Sequence, residues 1–268
     1  HALRALTPKD QKAVKAAAET LRRADLILAE DKRVTAKLLA HARAKVPMAN
    51  YNDHTSEADR AKIVGRLASE AIALVSDAGT PLISDPGYKL VRDARAAGHA
   101  IFTIPGPSAA IAALTLAGLP TDRFLFAGFL PSRAKARTNA IAELAGIRAT
   151  MVFYESGPRL GESLASLATI LGEREAAVIR EISKLHEESV TGSLSELAQR
   201  YSTSQPKGEI VIVVGPPAES AEASDHDLEI ALDEAMKSMS PSRAAADVAA
   251  RLNVPRKRAY AMALERSR

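Results

Sequence analysis

The stretch that decides the fold runs from Ala71 to Leu119: AIALVSDAGTPLISDPGYKLVRDARAAGHAIFTIPGPSAAIAALTLAGL. It reads as strand, tight turn, helix, strand, tight turn, helix. Ile72, Leu74 and Val75 form a short apolar run closed by Ser76 and Asp77, which suits a strand buried in a parallel sheet. Ala78-Gly79-Thr80-Pro81 turns sharply, and Gly79, with no Cβ, lets backbone N–H groups approach a ligand. Ser84-Asp85-Pro86-Gly87 reads as a cap and first turn for a helix opening near Tyr88. Leu90, Val91 and Ala94 give that helix an apolar stripe, and Gly98 stops it. Ile101, Phe102 and Ile104 predict the next strand, broken at Pro105-Gly106-Pro107, with Ser108 capping a helix from Ala109. Two turns would then leave the C-terminal ends of neighbouring parallel strands, the edge where open α/β sheets bind ligands. Two ordinary βα turns rich in Gly and Pro fit the same residues.

Upstream, Ala24–Ala29 reads as a strand followed by Glu30-Asp31-Lys32-Arg33-Val34-Thr35, and residues 37–43 as a helix with Leu38 and Leu39 inward. Asn50–Thr55 is a polar loop, and residues 58–69 form a helix. Ala2–Arg23 reads as a helix that Thr7-Pro8 opens. Downstream, Gly118-Leu119-Pro120-Thr121 is a plausible linker. Strands are expected at Phe124–Phe129, Thr150–Tyr154, Ala176–Ile182 and Gly208–Gly215, and helices at Leu160–Leu171 and from Thr191 to Tyr201. Pro216–Asp225 is small and acidic, a linker to a tail of three short helices. The last helix opens on Arg256-Lys257-Arg258 after a Leu252–Pro255 turn, in the manner of a helix-turn-helix. A tail that grips RNA and a packing appendage both fit.

The chain has 268 residues, and ~150 residues per domain suggests two main domains. We divide it into 1–119, 120–217 and a 225–268 extension. A hydrophobic content of 47% is ample for a core, while 4% aromatics argues against broad base stacking. A net charge of +4 permits a nucleic-acid partner without requiring one. The absence of cysteine excludes disulfides and thiolate metal sites, and no metal is expected. No stretch is long enough to span a bilayer and no secretory signal is seen, so a cytoplasmic protein is the default.

Asp77-Ala78-Gly79-Thr80-Pro81-Leu82-Ile83-Ser84-Asp85-Pro86-Gly87 and Pro105-Gly106-Pro107-Ser108-Ala109 resemble the signatures of the 16S ribosomal RNA cytidine 2′-O-ribose methyltransferase family. That family lies within the tetrapyrrole-methylase-like class of S-adenosylmethionine enzymes. Glu30–Thr35, Phe153–Arg159 and Arg180–Glu188 resemble further family elements. Gly157 and Pro158 stand where the family commonly has Pro and His. The likeness runs from about Leu21 onward. The family's first strand, whose Pro- and Gly-containing loop lies on the cofactor, has no counterpart in this sequence. Either the sequence begins inside the pattern or the protein departs from it.

The resemblance implies two α/β domains of tetrapyrrole-methylase type, a homodimer, and 16S ribosomal RNA or the small subunit as partner. It implies S-adenosylmethionine contacts at Ala78, Gly79, Thr80, Ile83, Ser108 and Ala109. Asp77 would join them or fix the Gly79 loop, and Glu155 would lie beside the methionine moiety. A ribose 2′-hydroxyl is a weak nucleophile, so a proton acceptor helps; Glu181, His186 and Glu187 are the candidates. Arg133, Lys135 and Arg137, with Lys184, Arg256, Lys257 and Arg258, are candidate RNA contacts. For the candidate proton acceptors a salt-bridged strand end fits equally, and for the tail a packing role does; Arg133–Arg137 are read as an RNA contact in preference to a solvated helix start. A small-molecule methyltransferase on the same fold, and an RNA-binding protein with a degraded cofactor site, are the competing readings.

Overall fold

The computed structural model describes residues 8–218, 225–252 and 254–267. Thr7 and residues 219–224 of the expected linker lie outside them. The chain divides into two compact units, His1–Pro216 and Pro217–Arg268.

The first unit contains two sheets. In the first, β1 (Leu26–Ala29) lies between β2 (Met48–Asn50) and β3 (Ile72–Val75), all parallel. Each of the four β1 residues is buried, as expected of a central parallel strand. The crossovers are α2 (Lys32–Ala42) and α3 (Glu57–Arg66), and α1 (Pro8–Arg23) packs beside α2. The Asp31 carboxylate caps α2 by accepting the Arg33 N–H at 2.7 Å. Leu39 is buried, but Leu38 is exposed, so only one of that pair points inward.

After β3 comes the 76–87 loop, then α4 (Tyr88–Ala96). The strand expected at Ile101–Ile104 is not formed: these residues pair with no strand among the described residues, and Phe102 is 90% exposed. The apolar, β-branched run carries the same signal whether or not a ladder neighbour exists. The prolines at 105 and 107 supply no N–H for one.

The second sheet has the order β4-β5-β8-β6-β7. β4 (Phe124–Phe129) and β5 (Thr150–Ser156) are parallel; β8 (Glu209–Val214) runs antiparallel between β5 and β6 (Glu175–Arg180). β7 (Glu188–Ser193) is an antiparallel edge strand, where the sequence suggested a helix opening at Thr191. The helix α8 (Leu194–Tyr201) begins only at Leu194, after a Ser193–Glu196 capping box. Polar, half-exposed residues around Gly192 conceal an edge strand, because only one neighbour and one face stabilise it.

The two faces of this sheet are covered by different parts of the chain. Met151, Phe153, Val178, Ile210 and Ile212 pack with Leu160, Leu164 and Leu167 of α7 (Leu160–Leu171), with α8, and with Ile141 of α6 (Ala134–Leu144). Val152, Ala177, Ile179, Val211 and Val213 pack instead on Ala110, Ala113, Leu114 and Ala117 of α5 (Ala109–Ala117). The helix that follows the Pro105–Ser108 turn is thus anchored to the second sheet. Successive strand residues face opposite sides, so neighbours on β5 belong to different cores.

The second unit is a three-helix cluster, α9 (Asp225–Met236), α10 (Pro241–Leu252) and α11 (Arg256–Arg266). Leu228, Leu232, Val248, Ala259 and Ala263 form its core. Arg258 pairs with Asp225 at 2.7 Å, and the Arg266 Nε donates to Asp233 at 2.6 Å. Among the described residues no helix is long and apolar enough to cross a membrane.

Candidate active site

The two glycine turns meet. The Thr80 hydroxyl donates to the Pro107 carbonyl at 3.0 Å. A Cβ built on Gly79 would lie 4.0 Å from the Pro107 oxygen, and one on Gly106 4.0 Å from the Gly79 oxygen. Beyond the flanking residues, nothing else among the described residues lies within 4 Å of either position, so the space over both turns is open. Asp77, Ala78, Gly79 and Ile83 are exposed, as is Pro105-Gly106-Pro107. Ser108 caps α5 as expected, its Oγ accepting the Ile111 N–H at 3.5 Å.

The 76–87 loop is held in an unusual backbone path. Gly79, Leu82, Ser84 and Gly87 have φ of 68°, 74°, 60° and 140°. Positive φ at Leu82 and Ser84 is costly for L-residues and clusters at ligand-clamping segments. At Gly87 the φ of 140° is one that L side chains rarely adopt, and a Cβ would also fall 2.6 Å from Leu74 Cδ2, so the turn into α4 favours glycine. Gly87 itself is the N-cap, without a side-chain cap from Ser84.

Acidic groups collect where the first sheet's strands end. Glu30 follows β1, Asp53 follows β2, and Asp77 and Asp85 follow β3. Burial, then Asp85 and Asp77, pushes the Glu30 carboxyl up. Burial pushes Asp85 up as well, helped by Asp77 and Asp53 and opposed by a hydrogen bond with Ser76. Asp77 also accepts the Asp31 N–H at 3.2 Å, which ties the loop to the end of β1. No group of three or more potential metal ligands occurs among the described residues.

The second sheet brings its own edge to the turns. β4, β5 and β6 run in one direction, so Phe129, Tyr154–Ser156 and Arg180–Glu181 end at the same side. From that side the Tyr154 hydroxyl accepts the Ala110 N–H at 3.3 Å. Its ring meets Phe126 and Phe129 edge-on, with centroids 4.8 and 5.5 Å away. Burial, chiefly, raises the Tyr154 phenol, and Asp85 and Glu209 add to it. Neither Tyr154 nor Asp85 is among the site residues expected from the sequence, which places Asp85 only in the capping turn before α4. The alternation of TMVFYES would have shown that Tyr154 and Glu155 face opposite ways.

Glu155 faces the α7 core. It is buried, accepting from the Ser163 hydroxyl at 2.5 Å and the Ser156 N–H at 2.8 Å, with Arg159 at 3.5 Å. The structure therefore brings Tyr154, and not Glu155, to the Ser108 turn.

Glu181, His186 and Glu187 fall in one turn between β6 and β7. Glu181 accepts the Glu209 N–H at 2.9 Å and the Lys184 ammonium at 2.9 Å, and both hold its carboxyl below the usual range. Lys184 also reaches Glu209 at 3.2 Å; these carboxylates raise its own pKa. The Glu187 carboxylate accepts the Ser183 N–H, and His186 is exposed. Of the basic segment before β5, Arg133 and Lys135 are exposed, whereas Arg137 is 5% exposed. Its guanidinium donates to Ser166 at 3.0 Å, Glu162 at 3.2 Å and the Ser132 carbonyl at 3.4 Å. Its place on the inner side of α6 makes it a packing residue, contrary to its grouping with Arg133 and Lys135. Arg256 and Lys257 are exposed on α11, while Arg258 is half-buried.

Residues 14–198 match the model of the Tetrapyrrole (Corrin/Porphyrin) Methylases. The chain belongs to this family. It is accordingly a methyltransferase that uses S-adenosylmethionine. Residues 222–267 match a second model, the RsmI C-terminal HTH domain. Among curated relatives, Ribosomal RNA small subunit methyltransferase I of Erythrobacter litoralis is 53% identical over 93% of this chain and 88% of its own length. The protein of the same name in Mesorhizobium japonicum is 44% identical over 87% of this chain and 80% of its own. Among solved structures, a diphthine synthase shares the methylase fold with a TM-score of 0.55, at 16% identity over 78% of this chain and 84% of its own. A uroporphyrin-III-C-methyltransferase from Thermus thermophilus gives a TM-score of 0.52 at 22% identity, covering 78% of this chain and 87% of its own.

Proposed function

We propose that this chain methylates the ribose 2′-hydroxyl of a cytidine in 16S ribosomal RNA. The observation that carries the reading is the Thr80–Pro107 contact, which sets two glycine turns face to face over open space in a methylase-family chain. The near relatives named as small-subunit ribosomal RNA methyltransferases support the choice of acceptor.

S-adenosylmethionine, when bound, supplies a methyl group on a sulfonium that is its own leaving group. The open positions above Gly79 and Gly106 fit a group of this kind, since a side chain at either would enter that space. We assign its contacts to Ala78, Gly79, Thr80 and Ile83 on one turn and Ser108 and Ala109 on the other. The acidic strand ends at Glu30, Asp53, Asp77 and Asp85 favour a cationic ligand. The chain's remaining work is to orient the ribose and accept its proton as the new O–C bond forms and the S–C bond breaks. Glu181, His186 and Glu187 are the candidate acceptors. Glu181, kept ionised by Glu209 and Lys184, suits a hydrogen-bond acceptor for the 2′-hydroxyl. Arg133 and Lys135 supply phosphate contacts beside this edge, and Arg256 and Lys257 do so from the helical extension.

The division into 1–119, 120–217 and 225–268, a cytoplasmic location and a homodimer belong to the same reading. Exposed Ile101, Phe102, Ile111 and Leu116 support the dimer, because an apolar helix such as α5 is seldom left bare. Methyl-labelled S-adenosylmethionine should place label in 2′-O-methylcytidine when the chain is given unmodified small subunits or 16S RNA. Label in an added tetrapyrrole alone, or in neither, would overturn the assignment.

A further inference from the structure

We propose that Tyr154 is a positioning residue that holds the Pro105–Ser108 turn in donor-binding geometry by capping α5 from the second sheet. The inference rests on the assignment of that turn to S-adenosylmethionine.

A helix leaves its first N–H groups without intrahelical acceptors. In α5 the Ser108 side chain takes the Ile111 N–H, and the Tyr154 hydroxyl takes the Ala110 N–H. One cap is local; the other comes from 44 residues further along the chain. Ala110 is buried, so its N–H needs such a partner. The ring that carries the hydroxyl is fixed by Phe126 on one contact and Phe129 on the other. β4 shifts register against β5 between Phe126 and Gly128, and Phe129 follows directly. A Cβ on Gly128 would stand 3.3 Å from the Ser84 hydroxyl. The irregular end of β4 thus reaches the 76–87 loop, while Tyr154 on β5 reaches the Ser108 turn. Both donor turns are referenced to one short stretch of sheet edge. The phenol oxygen accepts from Ala110 and keeps its own proton, and Asp85 and Glu209 both act on it electrostatically. Apolar packing seats α5 on the sheet, and the Tyr154 hydroxyl adds a directional contact at the helix start, next to the turn. A merely space-filling tyrosine would need only its ring.

The test is Tyr154→Phe in the full chain, with S-adenosylmethionine affinity measured by calorimetry, thermal melting, and steady-state kinetics on small subunits. The ring and its Phe126 and Phe129 contacts remain, so melting should move little. The dissociation constant and KM for S-adenosylmethionine should rise about 5- to 20-fold, with kcat changed less than 2-fold. Gly79→Val runs alongside as the control for the donor site. If Gly79→Val abolishes binding while Tyr154→Phe binds like the parent, Tyr154 is space-filling and the positioning role is wrong. If neither substitution alters affinity, the donor assignment fails and this inference fails with it. If Tyr154→Phe melts far below the parent, Phe129→Leu decides. It loosens the ring without removing the hydroxyl. A several-fold affinity loss there at unchanged melting upholds the role, and unchanged affinity rejects it.

Discussion

Thr80 and Pro107 lie 27 residues apart in sequence, and a single hydroxyl-to-carbonyl hydrogen bond of 3.0 Å joins the turns that carry them. Pro107 has no N–H, so at this residue the backbone can be fastened only through its carbonyl. Thr80→Val keeps the volume and removes the donor. It should weaken S-adenosylmethionine binding about tenfold, equivalent to ~1.4 kcal/mol. The contact is at the surface, so global stability should fall by no more than ~1 kcal/mol. Calorimetry and urea unfolding measure the two.

Gly79 has φ of 68° and open space at its Cβ position. Gly79→Val should fold, at a strain cost of ~1–2 kcal/mol for a β-branched residue in the left-handed region. Its side chain would occupy the donor space, so S-adenosylmethionine binding should be lost. A variant that binds with parental affinity would remove the turn from the donor site.

The basic segment divides by burial. Arg133→Ala with Lys135→Ala should leave stability within about 0.5 kcal/mol, as for most surface changes. It should weaken RNA binding and reduce the slope of log affinity against log salt by ~1 per lost phosphate contact. Arg137→Ala should instead destabilise by ~1–3 kcal/mol, because Ser166, Glu162 and the Ser132 carbonyl lose a buried donor. Salt titrations and denaturant curves separate these outcomes.

Asp85 gives a pH prediction of defined sign. Its carboxyl is raised above the ordinary range by burial, then by Asp77 and Asp53. The folded chain therefore binds that proton more tightly than the unfolded chain does. The group costs stability as pH rises from the ordinary carboxylate range through the raised value. Asp85→Asn should melt higher than the parent at pH 7 and equally near pH 3. It should bind S-adenosylmethionine more weakly at pH 7, because the acidic cluster at the strand ends, which would favour a cationic donor, loses one carboxylate. Equal melting at pH 7 would show that Asp85 carries no such penalty.

Much of this was legible from periodicity and turn chemistry. The βα alternation, the Ser108 cap and the three tail helices follow from apolar spacing and capping residues. The turns at Gly79 and Gly106 could be found, but not the hydrogen bond between them, because tertiary contacts leave no local mark. Ile101–Ile104 misled for the opposite reason: its local signal is strong and no ladder partner meets it. The site reading went astray where a residue's facing decides its role. Glu155 follows Tyr154 by one position, and that single step sends its carboxylate into the α7 core. Arg137 sits one helical turn after Arg133, and its chemistry is lost to α7 by the same logic of facing.

The central claim is that the two turns jointly hold the methyl donor, and a crystal structure of the chain with S-adenosylhomocysteine tests it most directly. The account predicts density for the ligand between Ala78–Thr80 and Pro107–Ala109, with the Thr80–Pro107 hydrogen bond retained. Well-defined density elsewhere, with both turns empty, would contradict it.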